Sequence, residues 1–441
     1  MLTFLLFLLF QSTHSNTIYV RDFGITNNKN SEKAAIQNAN SFYTAIKSAS
    51  YGDLVVVESN ETLYYVPSEE YIENINDISI KIDGKIILYN NVSTWPKSST
   101  DAYYNAIDIR TSRNLTITGT GKICGQGYIW WSDFFYGKVV RQRPTMINIE
   151  DSIDVVIERL TLLNSPRFNI YANNVLRFTT RYMKIWVSNI QLNILKTKLK
   201  TKLKTKLKTK MFPFNTDGVD VKGKDIHIYN MTISNYDDTV AVKPSKGTGK
   251  PLEDQVLNCS ENILVENIKI LYGAGLSIGS VPSSNNYCVK DVVFQNINVK
   301  FPLKLIYIKT EGNGTQNALI QNITYQNITA NKPVLWPIYI GPQQQKEPDG
   351  TGEGIWPPTN PNVKIEHILI KNIYVSKTKI QAGLIRCNIT NPCKNITLKN
   401  VVIKGKLLEH SYTCDGKYTI NGYYDDNTYP IPPKCCGFKN I

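Results

Sequence analysis

The chain has 441 residues, of which 42% are hydrophobic and 20% are charged, which excludes a disordered or fibrous protein and suits one large domain or two ordinary ones. Its formal charge of +14 suggests an acidic partner, but the run "KTKLKTKLKTKLKTK" at 196–210 holds eight lysines, and 14 − 8 leaves only +6. An excess this small argues against nucleic acid and favours an acidic polymer outside the cell.

The chain opens with "MLTFLLFLLFQSTHSN". Its apolar run of about ten residues is shorter than the roughly 20 that span a bilayer. We interpret residues 1–15 as a secretory signal peptide with cleavage near Ser15, although the usual preceding positive charge is missing. A buried first strand is the alternative. No later segment is long and apolar enough to span a membrane, so we expect a secreted protein.

Two further features favour secretion. Ten N-x-S/T sequons predict a glycoprotein: Asn60, Asn91, Asn114, Asn230, Asn258, Asn313, Asn322, Asn327, Asn388 and Asn395. The eight cysteines include no metal-type CxxC pair and predict disulfides. We expect Cys387 to pair with Cys393, and Cys414 to pair with Cys435 or Cys436.

The rest of the chain, residues 16–441, repeats one pattern. After a predicted amphipathic helix at Lys33–Ser48, short segments with period-two alternation recur, such as "NLTITGTGKICG", "DIHIYNMTISN", "DVVFQNINVK" and "HILIKNIYVSK". Periodic strands without crossover helices predict an all-β, single-domain right-handed parallel β-helix, with the helix capping its N-terminal end. A β-sandwich is the alternative, but hairpin signals are scarce. Asparagines at the turns are predicted to form a polar ladder inside the solenoid.

The lysine run at 196–210 interrupts this pattern. As a helix it aligns its three leucines with Leu195 just before it on one stripe, which is typical of segments that bind membranes or acidic polymers. We favour a solvated low-complexity insertion that projects near the mouth of the site that follows it.

Three aspartates carry candidate chemistry: Asp217 in "NTDGVDV", and Asp237 with Asp238 in "NYDDTVAVK". Twenty residues separate Asp217 from Asp237, about one coil, so they are predicted to stack about 4.8 Å apart. For both Asp237 and Asp238 to face a cleft, the chain must bend there. Crowded carboxylates raise at least one pKa, which supplies the acid and the base that glycoside hydrolysis requires. A calcium site or ordinary turns are the alternatives.

Taken in order, the motifs resemble the polygalacturonases, pectin-cleaving glycoside hydrolases of family 28 on a parallel β-helix. The resemblance rests on "GTGKICGQGYIWW", "NSPRFNIY", "NTDGVDV", "DDTVAVK", "GAGLSIGS" and "YIK", and it covers nearly the whole mature chain. It implies a monomeric enzyme that acts on pectic polysaccharide at α-1,4-galacturonosyl linkages. It implies no metal, no cofactor and no nucleic-acid partner.

The resemblance also implies roles for individual residues. Asp237 is expected to protonate the leaving oxygen, while Asp217 and Asp238 activate a water that attacks C1 and inverts the configuration. Inverting enzymes usually keep their acid and base roughly 6.5–9.5 Å apart. Asn215 and Lys309 are expected to position substrate, with Lys309 as a point charge for a galacturonate carboxylate.

Two positions depart from the family pattern. Ala274 in "GAGLSIGS" stands where the family has histidine, and Tyr307 in "YIK" stands where it has arginine. Alanine offers no proton, and a phenol cannot grip a carboxylate bidentately, although it can stack on a sugar or donate one hydrogen bond. Of the other histidines, His227 is predicted to lie on another face. Three hypotheses remain: a pectin hydrolase, a rhamnogalacturonan hydrolase or exo-acting relative, and a pectin-binding protein with impaired catalysis.

Overall fold

The computed structural model describes residues 15–139, 142–188, 212–245, 259–312, 314–344, 357–405, 412–415 and 419–441. Residues 1–14 of the predicted signal peptide and the whole lysine run at 196–210 lie outside the described residues. Among the helices of the described ranges, none is long and apolar enough to cross a membrane.

The predicted N-terminal helix is confirmed as α1, Glu32–Ser48. It begins at Ser31, whose hydroxyl accepts a hydrogen bond from the Ala34 amide at 3.3 Å, an N-cap that satisfies one of the free amides of the first turn. Its buried face packs on the first coils of the solenoid. A second helix, α2 at Tyr128–Phe135, was not predicted. Short 3-10 helices span Val20–Phe23, Val92–Thr94 and Lys434–Cys436.

The other elements of the described residues are strands. In chain order they are β1 Thr17–Tyr19, β2 Leu54–Val57, β3 Thr62–Tyr65, β4 Ile72–Glu73, β5 Asn76–Ile82, β6 Lys85–Leu88, β7 Ile107–Arg110, β8 Arg113–Thr118, β9 Lys122–Cys124, β10 Ile147–Glu158, β11 Thr161–Leu163, β12 Ile170–Arg181, β13 Lys184–Trp186, β14 Val219–Ser234, β15 Val240–Val242, β16 Cys259–Gly273, β17 Leu276–Val281, β18 Cys288–Pro302, β19 Ile306–Glu311, β20 Ala318–Asn331, β21 Ile338–Gln344, β22 Val363–Thr378, β23 Gly383–Ile385, β24 Cys393–Gly405, β25 Tyr412–Cys414, β26 Ile420–Tyr424 and β27 Phe438–Asn440.

The paired strands stack in parallel, which confirms the predicted β-helix. One face, called here the site sheet, runs from β4 and β7 through the first residues of β10, β12 and β14 to β15, β17, β19, β21, β23 and β25. A second face, called here the long-strand sheet, runs from β5 and β8 through the later residues of β10, β12 and β14 to β16, β18, β20, β22 and β24. The long strands turn the corner from one face to the next.

The core forms because equivalent positions of successive coils are apolar. In the long-strand sheet one inward column follows the register from coil to coil, through Ile78, Leu115, Val155, Phe178, Ile226, Ile263, Val292, Ile323, Ile368 and Ile396. All of these side chains are buried. Because each coil covers its neighbours, the apolar alternation seen in the sequence becomes one continuous core.

The predicted asparagine ladder exists, but the prediction that it lies inside the solenoid is wrong. Asn327, Asn372 and Asn400 stack with their side-chain amides donating from coil to coil, and all three are exposed. Each has a positive φ, between 50° and 55°, where the chain turns a corner. Asparagine tolerates this left-handed conformation, and the corner directs its side chain outward.

The two disulfides predicted from the sequence are present. Cys387 pairs with Cys393 as predicted, and Cys414 pairs with Cys436, one of the two partners considered. A third disulfide was not predicted: Cys259 and Cys288 join the first residues of β16 and β18, which are in register.

Candidate active site

The site sheet carries a column of residues that alternate with buried core residues and therefore face outward. In register order this column reads Asp220, Ala241, Ser277, Tyr307 and Tyr339. The predicted site residues lie in the strands of this sheet or in the segments that lead into them. The short strands of this face thus place side chains from distant parts of the sequence side by side.

The structure brings the three predicted aspartates together. Asp217 precedes β14, and Asp237 and Asp238 precede β15; one carboxylate oxygen from each lies within 4.8 Å of the others. They are 3%, 8% and 1% exposed, respectively. Calcium takes six to eight oxygen ligands, and two of these carboxylates already face a lysine ammonium within 4 Å, which disfavours the alternative of a calcium site.

The predicted bend at the aspartate pair is present, and Asn235 holds it. The buried Asn235 amide donates to the backbone carbonyls of Thr216, Asp237 and Asp238, at 3.1, 2.9 and 2.8 Å. Its oxygen accepts from the Thr239 hydroxyl at 3.3 Å. A side chain at Gly273 would meet that oxygen, since an added Cβ would lie 2.6 Å from it. Asn235 thus fixes the two backbone segments that carry the aspartates.

Asp238 is the aspartate with the strongest partners. The Lys309 ammonium donates to one of its oxygens at 2.7 Å, and the Ser277 hydroxyl donates to the other at 2.7 Å. Burial alone raises the pKa of Asp238, but the Lys309 ammonium and then Lys243 outweigh burial, so its pKa lies below the usual range. Asp238 is therefore ionised at neutral pH.

Asp237 has weaker support for its charge. Its carboxylate accepts backbone amide hydrogen bonds from Asn215 and from Asp238, both at 2.9 Å. Burial, and next the negative charge of Asp238, raise the pKa of Asp237 to about 6, against the opposing effects of Lys309 and the two amides. At mildly acidic pH this side chain holds a proton that it can donate.

The Oδ1 atom of Asp217 is buried and has no hydrogen-bond partner among the described residues. Its other oxygen lies 3.8 Å from the Lys243 ammonium. Burial, followed by the charges of Asp220 and Asp237, raises the pKa of Asp217 well above its usual value, and Lys243 opposes them. A buried acceptor without a partner is suited to hold a water molecule or a substrate hydroxyl.

Asn215 lies beside Asp237, and its own conformation is fixed by Arg143. The buried Arg143 guanidinium donates to the Asn215 side-chain oxygen and to the Phe214 carbonyl, both at 2.9 Å, and to the Pro166 carbonyl at 3.0 Å. Asn215 has a φ of 55°, a left-handed conformation that asparagine accepts. Through the hydrogen bond from its backbone amide to the Asp237 carboxylate, Asn215 positions that aspartate. The predicted contact of Asn215 with substrate stays a prediction.

Tyr307 contacts lysines rather than open solvent. It is 3% exposed, its ring lies 4.3 Å from the Lys309 ammonium and 4.0 Å from the Lys304 ammonium, and it packs edge-on against Tyr339 at 5.0 Å. Ammonium groups over an aromatic ring are attracted by its quadrupole. Tyr307 therefore helps to hold Lys309 against Asp238, while its predicted contact with a sugar stays a prediction.

Ala274 lies next to Asp237, as the sequence predicted. Its backbone amide donates to the Asp237 carbonyl at 2.7 Å, and its methyl group offers no hydrogen bond. His227 lies on the long-strand sheet as predicted, where its ring contacts Glu266 at 3.0 Å and stacks on Tyr229. Of the described histidines, none contacts the aspartates; His410 lies outside the described residues.

A cleft of about 240 Å³ lies on the N-terminal side of the aspartates. Its lining combines aromatic rings with paired charges, among them Asp108, Arg110, Glu150, Arg167, Phe168 and Tyr171. Arg143 also lines the cleft, so one guanidinium contacts both the cleft and the residue that positions Asp237. Its charged and aromatic lining is suited to hold a polar ligand.

The sequence analysis missed four residues of this site: Arg143, Asn235, Lys243 and Ser277. Three of them carried a usable signal, because Asn235 and Lys243 flank the aspartate pair in "NYDDTVAVK" and Ser277 follows Ala274 in "GAGLSIGS". Lys243 also follows Ala241 of β15 by two residues, so alternation along the strand directs both side chains to the same outer face. Nothing in the sequence around Arg143 indicates its contact with Asn215, 72 residues away.

Comparison with known proteins finds a family that matches most of the chain. Residues 59–420 match the family described as Glycosyl hydrolases family 28. A polygalacturonase of Juniperus ashei is 29% identical over 392 residues, which cover 85% of this chain and 64% of that protein. The chain spans about 56–64% of the length of three curated polygalacturonases that it matches, those of Juniperus ashei, Cryptomeria japonica and Chamaecyparis obtusa.

Solved structures show the same fold. A polygalacturonase from Erwinia carotovora ssp. carotovora superposes with a TM-score of 0.64 at 20% identity, covering 92% of this chain and 96% of that one. An endo-xylogalacturonan hydrolase from Aspergillus tubingensis superposes with a TM-score of 0.63 at 18% identity, covering 96% and 98%.

Proposed function

Because the chain belongs to glycosyl hydrolases family 28, we propose that it hydrolyses α-1,4-galacturonosyl linkages of pectic polysaccharide. The observation that carries this proposal is the unequal support of the three aspartates. Asp238 is held ionised by Lys309, whereas the pKa of Asp237 is raised to about 6. One carboxylic acid and one carboxylate side by side are the groups that this chemistry needs.

The proposed reaction is a single displacement. Asp237 gives its proton to the glycosidic oxygen as the bond from that oxygen to C1 breaks. A water held by Asp217 and Asp238 forms the new bond to C1 and passes its proton to Asp217. The products are a reducing end of inverted configuration and a new non-reducing end, and the aspartates exchange one proton with solvent before the next cycle.

The aspartates lie closer together than is usual for inverting enzymes, since one oxygen of each lies within 4.8 Å of the others and the usual separation is roughly 6.5–9.5 Å. A single water that donates hydrogen bonds of about 2.8 Å to two oxygens spans about 4.6 Å between them. The cluster therefore has room for one water between two carboxylates. The unpartnered Oδ1 of Asp217 is the acceptor that such a water would use.

Substrate positioning is proposed for Asn215, Lys309 and Tyr307. Lys309 supplies a positive charge next to the reacting bond, and Asn215 lies between Asp237 and the cleft lined by Arg143. Tyr307 takes the place of a carboxylate-gripping arginine, so the sugar that follows the cleaved bond is held less strongly through its carboxylate. This favours a decorated or neutral sugar at that position, as in rhamnogalacturonan.

We also propose a secreted, monomeric glycoprotein. Three disulfides among the described residues support folding in an oxidising compartment. The apolar N-terminal run and the ten sequons support the same location.

A second candidate function is binding without hydrolysis. Ala274 favours it, because the residue beside Asp237 offers no side-chain proton or hydrogen bond. Such a protein would keep the cleft and bind pectic polymer through it.

The test is the release of new reducing ends from polygalacturonate and from rhamnogalacturonan, with Asp237→Asn as the catalytic variant. Asp291→Asn is the matched control, because Asp291 is an exposed residue of the long-strand sheet that accepts a hydrogen bond from the Asn322 side chain. Hydrolysis should fall as pH rises through about 6, where Asp237 loses its proton. Proton NMR of the first product should show the inverted anomer. Binding of either polymer without release of reducing ends would overturn the hydrolase and support the binding protein.

A further inference from the structure

Lys243 is a charged residue of the site that the proposed reaction does not yet use. It follows β15, and its backbone amide donates to the Val221 carbonyl at 3.0 Å, so its position is fixed by the sheet. Its ammonium pairs closely with Asp220 and lies 3.8 Å from Asp217. The Lys243 side chain is 20% exposed, whereas that of Asp220 is fully buried. Lys243 thus bridges two carboxylates at the rim of the site.

The surroundings of Asp217 are otherwise acidic. Its carboxylate faces the charges of Asp220, Asp237 and Asp238, and burial adds to their effect. Burial and these neighbouring charges all disfavour the ionised form of Asp217. A base that accepts a proton from water must nevertheless be ionised when the water attacks.

The other cations that face Asp217 are committed elsewhere. Lys309 donates to Asp238, and Arg143 donates to backbone carbonyls and to Asn215. The Arg167 guanidinium donates to Gln142 at 2.9 Å and lies over the Phe168 ring. Among the ion pairs of the described residues, those of Asp217 involve Lys243.

Lys243 keeps its own charge in this setting. Burial lowers the pKa of Lys243, but the carboxylates of Asp220 and Asp217 outweigh burial and raise it above the usual range. An ammonium held by a fully buried aspartate cannot drift away from Asp217 without breaking that pair. Asp220 therefore anchors Lys243, and Lys243 faces Asp217.

We propose that Lys243, anchored by Asp220, is a positioning residue that keeps Asp217 in its carboxylate form during the reaction. This inference rests on the proposed function, in which Asp217 accepts the proton of the attacking water. It assigns to the Lys243–Asp220 pair the electrostatic support that the alanine at position 274 cannot give. The pair acts through Asp217 and makes no bond to the reacting atoms.

The first test is the pH dependence of kcat/KM for Lys243→Met and Lys243→Arg. Removing the cation should move the acidic limb of the profile to higher pH by about one unit, which lowers the rate on that limb about tenfold. Lys243→Arg should restore the wild-type limb. A role in structure alone would lower the rate at every pH and leave the limb in place, which would overturn the proposal.

The matched control is Lys224→Met, because Lys224 also pairs with a carboxylate, Glu261 at 3.1 Å, but on the long-strand sheet. It should leave the pH profile unchanged. Thermal unfolding of each variant separates a loss of folding from a shift of the limb.

The second test does not depend on activity. In protein labelled with ¹³C at the aspartate carboxyl carbons, the Asp217 resonance, assigned with Asp217→Asn, should titrate at higher pH in Lys243→Met than in the wild type. An unchanged titration would overturn the role of Lys243 whether or not the protein hydrolyses pectin. A shifted titration in a protein that releases no reducing ends would retain that role and overturn the hydrolase alone.

Discussion

The long-strand sheet and the site sheet use the same stacking in opposite ways. On the long-strand sheet, equivalent positions of successive coils carry like residues, as in the exposed ladder Asn327, Asn372 and Asn400. On the site sheet, the outward column changes at nearly every coil, from Asp220 to Ala241 to Ser277. A ladder residue therefore contacts the same residue type in the coils before and after it. A residue of the site contacts a different residue type in each neighbouring coil.

This difference predicts how the two faces respond to substitution. In the ladder, the loss of one amide leaves its neighbours exposed to water, which replaces the lost hydrogen bonds. At the site, the partners are buried, so a lost group leaves polar atoms without a replacement. The variants below compare the two faces, in order of decreasing effect.

Asn235→Ala should have the largest effect. It removes three hydrogen bonds to the buried carbonyls of Thr216, Asp237 and Asp238. It also leaves the buried Thr239 hydroxyl without its acceptor. Each lost hydrogen bond costs about 0.5–1.5 kcal/mol and the unsatisfied hydroxyl about 1–3 kcal/mol, so we expect a loss of about 4 kcal/mol in the free energy of unfolding. Because the aspartate bend relaxes, kcat should fall at least about 100-fold. Urea unfolding and initial rates measure the two effects.

Asn372→Ala serves as the control for this variant, since it removes the same side chain from the exposed ladder. Equal losses of stability in the two variants would contradict the contrast between the faces.

The sequence predicted the elements that repeat. Alternation and spacing were enough for the β-helix, the capping helix and the Cys387–Cys393 disulfide, because each depends on local pattern. The grouping of Asp217 with the aspartate pair also followed from one coil of separation. These features need no knowledge of which side chain meets which across coils.

The sequence could not predict the partners that differ from coil to coil. Arg143 reaches Asn215 across 72 residues, an interval that contains the lysine run, so spacing gives no register. The asparagine ladder was wrongly predicted to lie inside the solenoid, because period-two alternation does not describe corner residues with positive φ. The buried setting of Tyr307 depends on Lys304 and Tyr339 from the same and the next coil.

Lys309→Met should have the second-largest effect, because it leaves the Asp238 carboxylate buried without its cation. Breaking a buried ion pair in this way costs about 3–5 kcal/mol, and we expect about 3 kcal/mol at pH 7. In the wild type the pKa of Asp238 is lowered, so the pair stabilises the fold above the unfolded pKa of about 3.9, and the contribution is lost as pH falls through the folded pKa.

The difference between wild type and Lys309→Met should therefore be large at pH 7 and shrink toward pH 3, where Asp238 is protonated in the variant. Urea midpoints at several pH values measure it. A difference that is the same at both ends of this range would show that the ammonium does not act through the charge of Asp238.

Tyr307→Arg should have a smaller, destabilising effect of about 2 kcal/mol, although it restores the family residue. The guanidinium would enter a buried space where the Lys304 and Lys309 ammoniums lie 4.0 and 4.3 Å from the present ring, and like charges repel there. Tyr307→Phe keeps the ring and should stay within about 0.5 kcal/mol of the wild type. Thermal melts compare the three proteins, and a Tyr307→Arg variant as stable as Tyr307→Phe would refute the lysine contacts as the reason.

Asn372→Ala should have the smallest effect, about 1 kcal/mol, and a second substitution at the same position separates its causes. Asn372 donates to Asn327 and accepts from Asn400, both at 3.0 Å, and its φ is 53°. Alanine loses the hydrogen bonds and also strains the left-handed backbone, whereas glycine loses the bonds but accepts that backbone. If backbone conformation is the main reason for asparagine at the corners, Asn372→Gly should be nearly as stable as the wild type by urea unfolding. If the ladder bonds are the reason, the two variants should lose the same amount, and the repeated face would then depend on its side-chain contacts as the site does.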